Sequence, residues 1–539
     1  MLPWRRAFST SFARLNHGAP VNNGYSPRLI TLLTDNPKKP RSFEDQNVTI
    51  QGLVRSVRKQ KTVAFAAIND GSFTTNVQAV LSPEQASDLS TGAAVEISGI
   101  WKACKPGAKQ THELHATTVT VVGGSDPETY PIQKKYLSPE FLRQNPHLRF
   151  RTPANALLAR FRSAAINRVD GAFGGSPGRF IQVHPPLITS SDCEGAGETF
   201  AVIPRETLAT GLPEKEQDHF FRAPKYLSVS SQLHLEAYAA QLGNVWALAP
   251  VFRAEKSDTP RHLSEFYMLE TESNFLSDLR ALTNICERIL CNIVRRLEDA
   301  PVTKELFKSL ENKEEDSPGA PNLLDLKKRW APFAKGQSPW RRITYTKAIA
   351  ALQEAVTQGR ASFEYAPTWS AGLQLEHERY IVDVINDGRP VFVTDYPKAV
   401  KPFYMAPSHD RNAETEPGPE TVACFDLLFP GIGEVAGGSL REHRLPELIQ
   451  NMREHGLIKK TAAVTEGNIE SEAKEQLYPH LLPGEDLGHL KWYADLRRWG
   501  SAPHGGFGIG FDRFLSYLTG VSNIRDIVAF PRYSGKADC

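Results

Sequence analysis

The chain has 539 residues, with 63 Lys and Arg against 61 Asp and Glu and a formal net charge of +2. That length carries about two to four domains with ample core volume, and the balanced charge excludes a global nucleic-acid field, so any RNA site has to be a local patch. No apolar run reaches the roughly 18 residues of a membrane span. Cys104, Cys193, Cys286, Cys291, Cys424 and Cys539 are scattered without a CxxC pair, against both structural zinc and a disulfide framework.

The first 34 residues stand apart. Arg5, Arg6, Arg14 and Arg28 occur with hydroxyl residues and no acid before Asp35, while Trp4, Phe8, Phe12 and Leu15 fall on one helical face. A basic, acid-free, amphipathic leader reads as a mitochondrial transit peptide; the alternative is a basic arm that grips RNA. Residues 46–124 hold five apolar-alternating runs separated by turn signals such as Asp70-Gly71 and Pro106-Gly107, the pattern of a small OB-fold β-barrel. On such a barrel Phe65 is an aromatic platform or a core residue, and the residues alone favour the core; Arg55, Arg58 and Gln78 offer phosphate and base-edge contacts. Residues 125–150 are proline-bearing and charged and read as a hinge.

From 151 to 539 a second, α+β domain is expected, a mostly antiparallel sheet of about six or seven strands flanked by helices. Within it, 298–342 and 461–487 read as peripheral insertions, the first a charged tract after a helix over 276–297. Residues 250–272 read PVFRAEKSDTPRHLSEFYMLETE. Arg253 and Glu255, two apart on a strand, share a face; Arg261 and His262 lie in the following loop, and Phe266 offers a ring to a base. An antiparallel pair with a basic tip suits a triphosphate, because guanidinium groups grip phosphate oxygens in pairs. Near the C-terminus, GGFGIGFDR alternates glycines along a strand before Arg513 opens a helix, so a ligand can lie on bare backbone as far as Gly510. Both runs point to ATP on an antiparallel sheet rather than in a Rossmann or P-loop site. Between them, Asp426 and Glu434 flank a glycine turn, and paired carboxylates near polyphosphate suit Mg²⁺.

These runs resemble motifs 2 and 3 of the class II aminoacyl-tRNA synthetases, in the wording of the aspartate/asparagine branch. The resemblance extends from about residue 46 to the end, with 156–173 and 180–186 as the motif 1 helix and strand. It implies that Arg253 spans the amino-acid carboxylate and the α-phosphate, that Arg513 holds the γ-phosphate, and that Arg261 and His262 lie near the terminal phosphates. Phe266 would stack on adenine, Glu255 would meet adenine or the tRNA's terminal adenosine, and Asp426 and Glu434 would face the metal. Arg441 would meet the amino-acid side chain, Glu194 the α-amino group, and Gln232 the amino acid. The barrel would read the anticodon with Phe65 stacking and Gln78 on a base edge. Motif 1 implies a homodimer.

Within the branch, aspartate enzymes add a lysine in a QLxK segment, where this chain has Leu235. The GIGE, EHERY and SSDCEGAGETF wordings are similar to the asparagine-specific members. The implied reaction consumes asparagine and ATP to charge tRNA(Asn). Thr271, in place of the usual proline, and FGGSPGRFIQV, a poor copy of motif 1, depart from the pattern. Rival readings are an aspartate-specific or non-discriminating enzyme, which predicts a lysine at 235; a silent RNA-binding paralogue, which predicts loss of Arg253 or Arg513; and an asparagine-synthesising relative, in which the barrel would be idle.

Overall fold

The computed structural model describes residues 29–33, 43–108, 110–174, 180–190, 199–211, 213, 215–311, 322–408, 420–460 and 478–539. Glu194, most of the expected leader, the charged tract over 312–321 and most of the 461–487 insertion lie outside the described residues. The chain divides into two compact units: one ends at Tyr136 and includes Arg151–Pro153, and the other takes Leu137–Phe150 and Ala154–Cys539.

In the first unit the alternating runs form β1 (Asn47–Lys59), β2 (Ala64–Asn69), β3 (Val77–Leu81), β4 (Ala94–Ala103) and β5 (His112–Gly123). They close into a barrel in the order β1-β2-β3-β5-β4. Ala64, Ala66 and Ile68 of β2 and Val95 and Ile97 of β4 point inward and are buried, as the two-residue period of a strand requires. A helical turn, Leu29–Leu33, adds Leu29 and Leu32 to this core, and the Leu29 N–H donates to the Asp70 carboxylate at 3.1 Å. The end of the segment expected as leader, 1–34, therefore packs on the barrel core.

The hinge expected over 125–150 is also divided. Its second half belongs to the second unit, where Arg143 donates to both oxygens of Asp526 at 2.9 and 2.8 Å and the buried Arg149 donates to the Arg525 carbonyl at 3.2 Å.

The second unit is built on an eight-stranded sheet. Its strands are β6 (Ile181–Gln182), β7 (Asn244–Phe252), β8 (Glu265–Asn274), β9 (Arg341–Thr344), β10 (Val391–Pro397), β11 (Thr421–Phe429), β12 (Gly433–Leu440) and β13 (His504–Gly510). The order is β9-β10-β11-β12-β13-β8-β7-β6. The inner pairings are antiparallel; the short edge strands β6 and β9 pair in parallel, and they raise the count above the six or seven expected. The motif 1 strand expected over 180–186 is only the two residues of β6.

Helices α1 (Pro153–Phe173), α2 (Gln232–Leu242), α3 (Leu279–Glu298), α4 (Pro301–Glu311), α5 (Leu323–Trp330), α6 (Lys491–Arg498) and α7 (Phe511–Thr519) flank the sheet. The Asp278 carboxylate caps α3 by accepting from the Arg280 and Ala281 N–H groups, and Leu282, Cys286, Ile289 and Ile293 recur at helical spacing on its buried face. That face meets Phe425, Leu427, Phe507 and Ile509 of the sheet, together with Phe161 of α1 and Phe514 of α7, in one core.

The described parts of the 298–342 stretch are not peripheral. Leu306 of α4, Leu326 and Trp330 of α5, Phe333 and Trp340 are buried in that same core, and the Trp330 indole N–H donates to the Leu518 carbonyl at 2.8 Å. Its polar wording masked an apolar face at helical spacing. Replacing Trp330 by Ala should cost about 3–5 kcal/mol of stability, read by denaturant unfolding of the full chain. A loss under about 1 kcal/mol, the range of surface substitutions, would return this stretch to the periphery.

Candidate active site

Strand β7 ends at Phe252. One further ladder bond, from the Arg253 N–H to the Ser264 carbonyl at 2.9 Å, closes the hairpin. Residues 254–264 then run as loop and bend, with Pro260 unable to donate to a ladder. Arg253 and Glu255 accordingly do not share a strand face, as the spacing predicted. The loop nonetheless returns both to one cleft of about 750 Å³, which is also lined by Arg261, His262, Phe266, Glu434, Gly510 and Arg513. Gln232, Asp426, Arg441 and Leu235 line the same cleft.

One side of the cleft is cationic. The Arg253 guanidinium stands 5.7 Å from the Phe266 ring centroid, within cation–π range. Arg513, in the first turn of α7, donates to the Glu434 carbonyl at 2.5 Å. Burial, then the nearby Arg513, lowers the Arg261 pKa. His262 is lowered by burial as well, with Arg513, Arg261 and Arg525 adding to that and Glu255 opposing it. Its Nδ1 lies 2.6 Å from the Thr259 hydroxyl, and its Nε2 lies 3.7 Å from Glu255. The cations crowd one another, so an anion placed among them relieves repulsion as well as gaining contacts.

The floor is glycine. Gly506, Gly508 and Gly510 of β13 pair with Glu272, Glu270 and Met268 of β8. A Cβ at Gly506 would overlap the Glu272 carboxylate, and one at Gly508 would overlap the end of Met268. Bare backbone is what lets these side chains lie flat across the strand.

At the far end, Arg441 is buried. Its Nε and Nη2 donate to the two oxygens of Glu272 at 3.2 and 3.0 Å, and its Nη1 donates to the Ser439 hydroxyl at 2.7 Å. Burial opposes its charge, but Glu272 and Glu236 outweigh that and raise its pKa. Glu236 of α2 accepts from Arg497 at 2.5 Å, Tyr493 at 2.8 Å and the Gln232 amide at 3.1 Å, and lies 3.1 Å from His504 Nε2. Although burial works against its ionisation, Arg497, His504 and Arg441 hold its carboxyl well below the usual range. Glu270 is buried too, accepting from the Ser230 hydroxyl at 2.5 Å and the Ser231 N–H at 3.0 Å.

The third group is acidic. Asp426 of β11 and Glu434 of β12 converge over Gly437, with an oxygen of each within 3.4 Å of where that glycine's Cβ would stand. Burial, then Asp426, raises the Glu434 pKa. Glu378, from the helix Leu375–Tyr380, is pushed up to about 7 by burial and by the charges of Glu434 and Asp426. The Lys401 ammonium binds both Asp426 oxygens at 3.1 and 3.0 Å. Among the described residues no group of three or more His, Cys, Asp or Glu is arranged to hold a metal. Two oxygen-donor carboxylates facing one point still fit a hard cation such as Mg²⁺, which takes one or two protein carboxylates and keeps waters and phosphate oxygens for the rest.

On the barrel, Phe65 pairs across the ladder with Arg58 of β1 and Val80 of β3. It is half-buried on the outward face, between the inward Ala64 and Ala66, and the Arg58 guanidinium lies 4.8 Å from its ring centroid. That placement decides against the core. Gln78, also outward, donates from its amide to Glu113 at 3.1 Å. Arg55 stands apart from this set: it occupies the β1 bulge between Val54 and Ser56, where burial lowers its pKa.

Comparison with known proteins separates the two units in the same way. A family model described as tRNA synthetases class II (D, K and N) matches residues 138–534, and one described as an OB-fold nucleic acid binding domain matches residues 48–122. The mitochondrial asparagine–tRNA ligase of Schizosaccharomyces pombe is 38% identical over 520 residues, covering 96% of this chain and 99% of that protein. The chain belongs to the asparagine–tRNA ligase family of class II aminoacyl-tRNA synthetases. The mitochondrial enzyme of Saccharomyces cerevisiae, 36% identical over 91% of this chain and 93% of its own length, is a further relative. Among solved structures, the asparaginyl-tRNA synthetase of Pyrococcus horikoshii complexed with asparaginyl-adenylate superposes with a TM-score of 0.72 at 26% identity, over 93% of this chain and 98% of that one.

Sequence reasoning missed the residues that carry this family's motifs from behind. Glu272 was visible in the motif 2 wording but silent, because its partner Arg441 is 169 positions away. Glu236 sits beside Leu235, and only the fold brings it to Arg497 and His504. Glu378 lay within the EHERY wording, which carried the resemblance without assigning it a role.

Proposed function

We propose that this chain activates asparagine with ATP and transfers it to the 3′-hydroxyl of the terminal adenosine of tRNA(Asn). The observation that carries the reading is a single cleft holding Arg253 and Arg513 at one end and the buried Arg441–Glu272 pair at the other. In the first step a carboxylate oxygen of asparagine attacks the α-phosphorus of ATP, the bond to the β-phosphate oxygen breaks, and pyrophosphate leaves. Both reactants are anions, so the task is to screen them and hold them in line. Arg253 spans the attacking carboxylate and the α-phosphate, and Arg513, Arg261 and His262 take the terminal phosphates. Phe266 stacks on adenine, with Glu255 at its edge and the backbone at Gly510 beneath. The nucleophile is already ionised, so no protein base is required. Asp426 and Glu434 are the residues to hold Mg²⁺, which when bound supplies further charge neutralisation on the phosphates. In the second step the 3′-hydroxyl attacks the asparaginyl carbonyl and AMP leaves.

Specificity follows from the charge of the floor. Arg441 donates to the Asn side-chain oxygen while its charge is matched by Glu272, and buried Leu235 brings no second cation. A carboxylate there would face Glu272 and Glu236 without compensation. Gln232 flanks the amino acid, and Glu194 is assigned to the α-amino group. The aspartate-charging rival lacks its lysine, and the silent-paralogue reading has no lost arginine to rest on.

Three further assignments complete the reading. The barrel binds the anticodon through Phe65, Gln78 and Arg58, with Arg55 supporting from the bulge. The chain forms a homodimer, which is supported by exposed Ile181, Leu187 and Ile188 around the edge strand β6. It works in the mitochondrial matrix, as the basic leader and the yeast relatives suggest; among the described residues no helix is long and apolar enough to cross a membrane.

ATP–pyrophosphate exchange with asparagine and aspartate in parallel tests the first assignment. Exchange with asparagine alone is expected, and Arg513→Ala should lower it at least about a hundredfold while the dimer mass persists in sedimentation. Exchange driven by aspartate would sink the pocket reading. Phe65→Ala should raise the KM for tRNA about tenfold or more, the worth of one base stack, with exchange untouched; an unchanged KM would remove Phe65 from the RNA site. Deleting residues 1–28 should abolish import into isolated mitochondria, and continued import would remove the targeting role.

A further inference from the structure

One cation of the cleft has no part in the reading above. Lys401 reaches Asp426 from the segment that follows β10. Its side chain is only 17% exposed, with the ammonium 3.0 and 3.1 Å from the two Asp426 oxygens and 4.0 Å from the centroid of the Tyr396 ring. Lys401 thus sits in a built pocket, an aromatic face on one side and a carboxylate on the other. Its backbone is fixed as well: His455 Nε2 lies 3.2 Å from its carbonyl oxygen, and Asn451 donates to the Phe403 carbonyl at 3.0 Å. Four residues on, Met405 bridges to Arg441. One short strap therefore links the acidic group to the amino-acid floor.

We propose that Lys401 is a positioning residue for the divalent cation: it occupies one side of Asp426, fixes that carboxylate's orientation, and lowers the site's affinity for metal so that the cation is held in register with the phosphates rather than buried among carboxylates. The inference rests on the function proposed above and on the assignment of Asp426 and Glu434 to Mg²⁺. The argument is one of charge and of oxygen lone pairs. Asp426 and Glu434 converge over Gly437 with the charge of Glu378 close behind them, and a cation drawn in by that much negative charge would be held tightly. A carboxylate accepts at about four lone-pair sites. With the ammonium on both oxygens of Asp426, the side toward Glu434 and Gly437 is the one left for a metal. Mg²⁺ in such sites keeps one or two protein carboxylates and takes its remaining ligands from water and phosphate. Lys401 thus enforces a loose, oriented metal where the bare acids would give a tight, misplaced one.

The consequence is a signature in which two readouts move in opposite directions. In Lys401→Met the full-length protein, with a non-hydrolysable ATP analogue and asparagine present, should bind Mn²⁺ at least about fivefold more tightly, as removal of one nearby positive charge requires. Mn²⁺ binding is followed by the loss of the free-ion paramagnetic resonance signal. ATP–pyrophosphate exchange by the same variant should fall at least about tenfold, because the cation and Asp426 lose their fixed geometry. Lys401→Arg, which keeps the charge, should hold Mn²⁺ affinity within about twofold. A merely structural lysine would instead lower the unfolding temperature and leave metal affinity unchanged or weaker; that result in Lys401→Met, or in Lys401→Gln where Met is poorly folded, overturns the proposal. Tighter Mn²⁺ binding with exchange kept within about twofold also overturns it, since position would then not matter. Wild-type exchange run alongside separates the two levels of inference: absence of exchange with asparagine refutes the proposed function, whereas the Mn²⁺ comparison still decides the role of Lys401.

Discussion

Cations that repel one another have to be kept close together, and the architecture of the catalytic unit follows from that. Arg253, Arg261, Arg441, Arg513 and Lys401 all line one cleft, and four of the five are tethered from behind. Glu272 holds Arg441, the Glu434 carbonyl holds Arg513, Asp426 holds Lys401, and the Phe266 ring lies beneath Arg253. Glu272 is buried, while Phe266, Asp426 and Glu434 line the cleft beside the cations they hold. Building it requires a sheet with two properties at once: carboxylates at alternate positions of β8, and a neighbouring strand without side chains. GGFGIG on β13 satisfies the second, and Glu270 and Glu272 satisfy the first. Cutting one tether leaves a buried charge alone, which is why these pairs resist substitution more than their individual strength suggests.

The acidic group obeys the complementary rule. Asp426 raises the cost of ionising Glu434, and the two together raise that of Glu378. The protein does not remove this strain by spacing the acids apart; it sets Lys401 against one of them and leaves the remaining side open. The cleft as a whole is thus poised between two unfinished charge balances, positive at the hairpin and negative at the β11–β12 turn. A ligand that brings polyphosphate and a hard cation together completes both.

Much of this could be read from the chain. The motif residues were legible because ligand-facing groups sit in short runs on adjacent hairpin strands, where spacing reports geometry: Arg253 to Phe266 is one hairpin, and Gly505 to Arg513 one strand and helix start. The barrel was legible because a two-residue apolar period has one interpretation over five strands. What spacing could not report were pairs closed by the fold, such as Glu236 with Arg497 or Arg143 with Asp526, whose members lie hundreds of residues apart. Composition also misled at 298–342, where charged wording hid Leu326 and Trp330, since a helix needs only one apolar face to join a core. The strand drawn through Arg253 and Glu255 failed for a local reason, the hairpin ladder closing at Ser264.

The glycine at 506 has a meaning for inheritance. Every one-base change that alters a glycine codon's amino acid installs at least a Cβ, and at this position that carbon would displace Glu272, the tether of Arg441. The same carbon would overlap the Thr271 carbonyl oxygen, so the β8 and β13 backbones would have to part as well, and the lesion would cost stability together with the pocket. Among variants met in a population, a substitution at Gly506 therefore reads as a loss of function in which folding and pocket fail together.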